Sequence, residues 1–336
     1  MREQLTFDDV SIIPKYSQIT TRKNCWTGTE YAGIELSHPL IASPMDTVCG
    51  IDMAKSIGEL GGLGIIHRFN PIGEQIAGML ELEELNIPYG VAVGVGEKAE
   101  HRIDQLLSWT NLDVMCIDVA HGHHSMVKDT ISYIKDIDED MHVLAGNVCT
   151  GEAAYDLEGW GADSLRVGIG NGSMCETRIR AGVGIPQVNA LQDCIENCDI
   201  PIVADGGCKT TGDVAKAIGL GADVVMIGSL FAGTKETPGI INKSGMWPNE
   251  QLYKKYQGSA SIDSKLARGE TNHVEGNSKI VPYKGKVKRI VDDINDGIRS
   301  SMSYVGAINL DEFRKKAEFV RVTQAGQLEA KPHGLY

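Results

Sequence analysis

Ser164-Leu165-Arg166-Val167-Gly168-Ile169-Gly170-Asn171-Gly172-Ser173-Met174-Cys175-Glu176-Thr177-Arg178 begins as a short buried strand and turns at once into a glycine-rich loop. Glycines in alternate positions, followed by Ser173, let the backbone bend closely around a ligand, including at φ > 0. Successive N–H groups in such a bend make a concavity that suits an anion such as phosphate. Cys175 stands at its end, with the Thr177 hydroxyl and the Arg178 cation just beyond. A cysteine is nucleophilic as thiolate, and positive charge or oriented N–H groups nearby favour that form. Taken alone, the pattern also fits a glycine-rich turn before a helix with a buried thiol.

Working outward, the same strand-then-loop unit recurs along the chain. Pro39-Leu40-Ile41-Ala42 ends on Ser43, Leu63-Gly64-Ile65-Ile66 on His67, and Gly90-Val91-Ala92-Val93 on Gly94. Val114-Met115-Cys116-Ile117 ends on Asp118, and His142-Val143-Leu144-Ala145 on Gly146 and Asn147. After Leu165-Arg166-Val167 come Pro201-Ile202-Val203-Ala204, ending on Asp205, and Val224-Val225-Met226-Ile227, ending on Gly228. Near-continuous apolar strands are those covered on both faces, hence parallel. Eight of them alternating with helical patterns predict an α/β fold, a (β/α)8 TIM barrel; a doubly wound sheet is the alternative. Barrel sites form at the C-terminal ends of the strands, so Ser43, His67, Asp118, Asn147, Cys175, Asp205 and Gly228 are expected at one mouth. Asp205-Gly206-Gly207 and Gly228-Ser229 follow strands seven and eight, where barrels often bind phosphate. With Ser173 they make a phosphate pocket beside the cysteine. Asp205 suits a ribose diol better, since a carboxylate accepts two hydroxyl hydrogen bonds.

The chain has 336 residues, 42% of them hydrophobic and 23% charged, enough for one barrel with additions. A net charge of −13 argues against a nucleic-acid partner, which needs a basic face. No apolar run approaches a membrane span, and Met1–Asp9 carry no apolar signal core, so a cytoplasmic protein is expected. The eight cysteines are scattered in apolar stretches, as reduced thiols are. Cys194 and Cys198 would share a helix face, but no second ligand pair accompanies them, as a metal site requires.

The whole chain, residues 1–336, reads as one barrel domain. Residues 1–38 form a preamble, and residues from about 234 to 285 form an irregular stretch containing Pro238, several glycines and many charges. So long an irregular stretch is usually a lid or disordered. Helical patterning resumes at 286–301 and 310–317, and residues 318–336 form a tail ending near Pro332-His333.

Several stretches now carry a resemblance: Leu5-Thr6-Phe7-Asp8-Asp9-Val10, Ser43-Pro44-Met45-Asp46-Thr47-Val48 and Ile117-Asp118-Val119-Ala120-His121-Gly122. To these add Ala145-Gly146-Asn147-Val148, the Cys175 loop, Ala204-Asp205-Gly206-Gly207 and Ile227-Gly228-Ser229-Leu230-Phe231-Ala232-Gly233. In this order and over nearly the whole chain, they resemble the IMP dehydrogenase/GMP reductase family. The resemblance implies a (β/α)8 barrel and a purine nucleoside monophosphate, GMP or IMP, as substrate. Both family chemistries use the loop cysteine as nucleophile at purine C2. The dehydrogenase oxidises IMP with NAD and hydrolyses the resulting thioimidate with an Arg-Tyr pair on a mobile flap. The reductase expels ammonia from GMP and reduces C2 with NADPH, using a threonine two residues after the cysteine and a late glutamate.

In this sequence Arg268 is followed by Gly269, so the Arg-Tyr pair is missing. Tyr256-Gln257-Gly258-Ser259-Ala260-Ser261 and Val274-Glu275-Gly276 are similar to the reductase branch, which puts Glu275 in the relay with Cys175 and Thr177. The chain also passes from His67-Arg68 straight to the third strand, with no room for CBS modules. Against these, Ser43-Pro44-Met45-Asp46 and the Pro332-His333 tail are closer to the dehydrogenase form, and Glu176 replaces the usual small or hydroxyl residue. The resemblance therefore implies a GMP reductase of purine salvage, with a dehydrogenase lacking CBS modules as alternative. A catalytically inactive purine-nucleotide sensor is a third reading.

By resemblance, the nucleotide is held by Ser43, Met45, Asn147, Ser173, Asp205, Gly206, Gly207, Gly228, Ser229, Gly258, Ser259 and Ala260. Arg68, Asp118, Val119 and Ala120 line the nicotinamide side. Carbonyls of Gly170, Gly172 and Cys175 are the places for a monovalent cation, K+, and a self-satisfied loop is the equal alternative there. Relatives assemble as tetramers or larger, which implies a homotetramer.

Overall fold

The computed structural model describes residues 3–246, 249–271 and 274–331, so the Pro332-His333 tail lies outside the described residues. Every apolar run is a strand: β1 (Leu40–Ala42), β2 (Leu63–Ile66), β3 (Tyr89–Val93), β4 (Val114–Asp118), β5 (His142–Val148), β6 (Ser164–Val167), β7 (Ile202–Asp205) and β8 (Val224–Ile227). They pair in parallel and close into a barrel, with Met226 of β8 opposite Ile41 of β1. Closure explains the composition, because one face of each strand packs inside the barrel and the other meets helices.

Helices α1 (Ile51–Glu59), α2 (Ile72–Glu84), α3 (Glu97–Trp109), α4 (Ser125–Ile137), α5 (Gly151–Gly159), α6 (Gln187–Ile195) and α7 (Thr211–Gly219) follow the first seven strands. The eighth, α8 (Val287–Val305), comes only after the lid segment. It buries Val287, Val291, Ile294, Ile298, Met302 and Val305 at the three- and four-residue spacing of an amphipathic helix. Only α2 and its connections lie between β2 and β3, so no module interrupts the barrel there.

Inside the barrel, Ile41, Ile65, Cys116, Leu144, Val203 and Met226 form an apolar plug. Tyr31 and Leu36 of an antiparallel hairpin, Thr29–Tyr31 with Ile34–Leu36, close its N-terminal end. β6 departs from the others. Like them it sends alternate residues to the outer core, Leu165 and Val167, but the two it turns inward, Ser164 and Arg166, are polar. Ser164 Oγ lies 2.8 Å from both Tyr31 Oη and His142 Nε2, and Arg166 stands one layer nearer the mouth. What reads as a uniform apolar run is thus a strand with a polar inner edge.

The stretch expected to be irregular carries a three-stranded antiparallel sheet: β9 (Asn242–Ser244), β10 (Gln251–Gln257) and β11 (Ser278–Pro282). A flap helix, Ile262–Ala267, bridges β10 and β11. Lys254 hides this sheet from a pattern search, because it occupies an inward position of β10 and is only 1% exposed. Its ammonium donates to the carbonyl oxygens of Thr234, Lys235 and Thr237, which replaces the water it gives up. At the far end of the chain, Val10–Ile12 pairs antiparallel with Phe319–Arg321. No described helix is long and apolar enough to cross a membrane.

Candidate active site

The cysteine loop is held by its neighbours rather than by its own chain. Gly168 has φ +146°, and a Cβ there would lie 1.9 Å from the Asp205 carbonyl oxygen. Only glycine lets β6 leave the barrel so close to β7. Gln187, at the start of α6, donates to the carbonyls of Val167 and Asp205 and accepts from Asn171, which fixes the loop onto both strand ends. Gly207 N–H donates to Asn171 O at 2.9 Å. Cys175 N–H closes the bend on Gly172 O at 3.0 Å, and a single helical turn, Thr177–Arg180, follows.

At the tip of this loop three side chains form a chain of hydrogen bonds. Cys175 Sγ donates to Thr177 Oγ1 at 3.2 Å, and Thr177 Oγ1 donates to Glu275 Oε2 at 2.8 Å. Glu275 belongs to the lid segment and is placed by backbone bonds. Glu176 N donates to Glu275 O, Asn277 N to Met174 O, and Glu275 N to Ala260 O. The donor order runs one way, from thiol to hydroxyl to carboxylate, so a proton leaving sulfur has a path to Glu275. The Glu176 carboxylate, between the cysteine and the threonine, is paired with Arg180 at 3.0 Å. The eight cysteines are free thiols. Burial pushes Cys49, Cys116, Cys194 and Cys208 well above the ordinary range, so they do not compete as nucleophiles. Among the described residues no group of His, Cys, Asp and Glu is arranged to hold a metal.

Between β4, β6 and β7 lies a largely buried ionic bridge. Arg166 Nη1 meets Asp118 Oδ1 at 2.6 Å and its Nε meets Asp205 Oδ2 at 2.9 Å. Asn147 spends both amide hydrogens on the protein, one on Gly168 O and one on the same Asp205 oxygen. Arg68 comes from the other side, its Nε 3.6 Å from Asp118 Oδ2 and its Nη2 donating to Asp118 O. Burial works against the Arg166 charge, yet Asp205 and Asp118 together hold its pKa above the ordinary value. Sequence reasoning missed Arg166; the available signal was a cation in the middle of an otherwise apolar strand. Arg166→Met is expected to destabilise the fold by about 3–5 kcal/mol, because it leaves two facing carboxylates without their shared cation. A urea midpoint equal to that of the unmodified protein would show the bridge to be dispensable.

The glycine sites converge near Tyr256. Ser173 Oγ lies 3.0 Å from Tyr256 Oη, and Gly228 sits between Met45 Sδ and that hydroxyl. Ser43 N–H donates to Ile227 O, which brings the loop after β1 beside Gly228 and Ser229. Gly206 packs on the Asn171–Gly172 peptide. Gly258, Ser259 and Ala260 turn away from β10 over Met174. Tyr256 heads the stretch similar to the reductase branch, but its pairing with Ser173, 83 residues away, has no local signal in the sequence. Ala120 is exposed, and Val119 exchanges backbone bonds with Gly146 and Asn147. Arg268 does not point to a tyrosine. It donates to Ser264 Oγ and Ser259 O and lies 4.4 Å over the Phe69 ring, which ties the flap helix to the loop after β2. Asp46 adds a second tie, accepting from Gln257 and Ser264.

A (β/α)8 barrel carrying a thiol–hydroxyl–carboxylate chain and glycine-rich loops at the C-terminal ends of its strands has the layout of a barrel enzyme. The model of the IMP dehydrogenase / GMP reductase domain matches residues 4–333. The chain is 37% identical to a GMP reductase of Bacillus licheniformis, with 94% of the chain and 95% of that protein covered. It is 34% identical to an inosine-5'-monophosphate dehydrogenase of Borreliella burgdorferi, with 100% and 98% covered. A cysteine-to-alanine variant of GMP reductase from Trypanosoma brucei, solved in complex with guanosine 5'-monophosphate, superposes with a TM-score of 0.93. That structure is 28% identical and covers 100% of this chain and 99% of its own. The chain belongs to the IMP dehydrogenase/GMP reductase family, and it is an oxidoreductase of that family.

Proposed function

We propose that this protein is a GMP reductase, converting GMP to IMP and ammonia at the expense of NADPH. The observation that carries the reading is the Cys175–Thr177–Glu275 chain, closed at 3.2 and 2.8 Å. The absence of an Arg-Tyr pair at Arg268-Gly269, where water activation would need one, supports it.

The thiol proton passes through Thr177 to Glu275, and the Cys175 thiolate adds to purine C2. Glu275 returns that proton through Thr177 to the departing amine, so ammonia leaves rather than an amide ion. The C2–N bond breaks and a thioimidate remains on Cys175, which splits one hard step into two. A nicotinamide cofactor, when bound, supplies the hydride that C2 takes up. Cys175 then leaves with the C–S bonding pair, IMP is released, and the thiolate regains a proton from solvent.

The residues present fit such a cofactor. On the loop after β2, Arg68 Nε makes no hydrogen bond and only a long ion pair, 3.6 Å, to Asp118, and Asn70 Oδ1 is buried without a hydrogen-bond partner, so this loop has a donor and an acceptor to offer. A carboxamide needs that combination. The carbonyls of Gly170 and Cys175 accept no protein hydrogen bond among the described residues, while Gly172 O accepts one, so a potassium ion remains part of the proposal. Asp205 keeps one oxygen for the ribose diol, and Ser43, Ser173, Gly206, Gly207, Gly228 and Ser229 receive the phosphate. Ser43-Pro44-Met45-Asp46 and the full-length likeness to a dehydrogenase favour IMP oxidation with NAD as a second reading.

The absorbance of reduced nicotinamide separates the two. Loss of signal with GMP and NADPH, with ammonia released and no change with IMP and NAD, is the expected result. A gain of signal with IMP and NAD alone would overturn the assignment and leave Glu275 without its role.

A further inference from the structure

Lys284 reaches the far side of the bend that follows β8. That bend starts at Gly228, whose carbonyl accepts Ala232 N–H at 3.0 Å. The carbonyls of Ser229 and Leu230 both accept from Lys284 Nζ, at 3.1 and 2.9 Å. The same two peptide groups carry the N–H groups of Leu230 and Phe231. In a trans peptide these point away from the carbonyl, hence away from the ammonium. Among the described residues neither N–H finds a protein acceptor, and neither does that of Ser229. The lysine is held there by backbone: Lys284 N–H donates to Gly233 O, and Lys235 N–H donates to Gly285 O. The approach is close enough that Gly233, at φ +86°, would place a Cβ 2.5 Å from Pro282 O.

We propose that Lys284 is a positioning residue for the phosphate end of the site: it clamps two carbonyls from behind so that their N–H groups face the anion. This rests on the nucleotide reading of the mouth, because it gives the bend a monoanionic or dianionic ester to meet. The ammonium also sets positive charge behind a cradle otherwise built of neutral peptides, in a chain of net charge −13. Burial, and next to it Lys279, draw the Lys284 pKa below the ordinary lysine value, as expected for a cation kept on backbone oxygens instead of water.

The test compares GMP with guanosine, which lacks the phosphate, by calorimetric titration of the unmodified protein and of Lys284→Met. The variant is expected to bind GMP roughly 10–100-fold more weakly, the range for loss of a charged hydrogen-bonding group. Guanosine affinity should stay within about threefold, and KM for GMP should rise while kcat holds. Lys284→Arg should restore most of the GMP affinity. Equal weakening of GMP and guanosine would mean a merely structural lysine, and no weakening of either would also overturn the proposal. Should Lys284→Met fail to fold, Lys284→Gln keeps a polar side chain but loses the charge and is too short to reach both carbonyls, and the same GMP-selective loss is expected. The unmodified protein tests the reading underneath: if it does not prefer GMP to guanosine, the phosphate site itself is wrong, whatever the variants do.

Discussion

Cys175→Ala is expected to abolish turnover in both directions, by roughly 10⁴-fold or more, as loss of the nucleophile does in enzymes that work through a covalent intermediate. The argument is one of position. Cys175 is half-buried at the mouth, on a loop locked to two strand ends by Gln187 and Asn171, and its neighbour Thr177 accepts its proton. Of the other thiols, Cys25, Cys49, Cys116, Cys149 and Cys194 are buried, Cys198 and Cys208 are half-buried, and those that make hydrogen bonds donate to backbone carbonyls rather than to a hydroxyl. GMP binding should survive, because the glycine sites and Asp205 are untouched. Single-turnover mixing with labelled GMP gives the check: denatured unmodified protein should retain nucleotide on Cys175, and the variant none. Residual steady-state activity in the variant would move the chemistry away from this cysteine.

Glu275→Gln is the second large effect, and it separates the two family chemistries where Cys175→Ala cannot. Glutamine keeps the shape and accepts the Thr177 hydrogen bond, but it neither takes up nor returns a proton. Loss of general acid–base catalysis of this kind costs typically 10²–10⁴-fold. The loss should fall on ammonia release from GMP, with KM for GMP little changed, since Glu275 touches Thr177 and not the phosphate cradle. Slow formation of the covalent species in rapid-quench experiments would locate the defect. A variant that releases ammonia at the unmodified rate would remove Glu275 from the mechanism, even if overall turnover fell.

The barrel was legible because each parallel strand is covered on both faces, which leaves a short apolar run as its mark. The glycine loops were legible for a related reason: Gly168 sits where any Cβ would strike the next strand, so the backbone's need is written in the residue itself. What escaped notice depends on pairings across long separations. Arg166 looks like an interruption of a strand until Asp118 and Asp205 are brought to it. Lys254 conceals β10 because an inward lysine contradicts the alternation that marks a strand. Glu275 has no local pattern at all. Resemblance placed it beside the cysteine, and the structure supplies the physical reason, a short run of backbone bonds to Met174 and Glu176.

That run of bonds divides ownership of the site. Cys175 and the glycine loops after β7 and β8 belong to the barrel, while Glu275, together with Gly258, Ser259, Ala260 and Lys284, rides on the segment inserted between β8 and α8. On the proposed function, the barrel brings the atom that attacks and the insert brings the group that handles the proton. A change confined to the insert would then alter the fate of the bound nucleotide while leaving the eight strands in place.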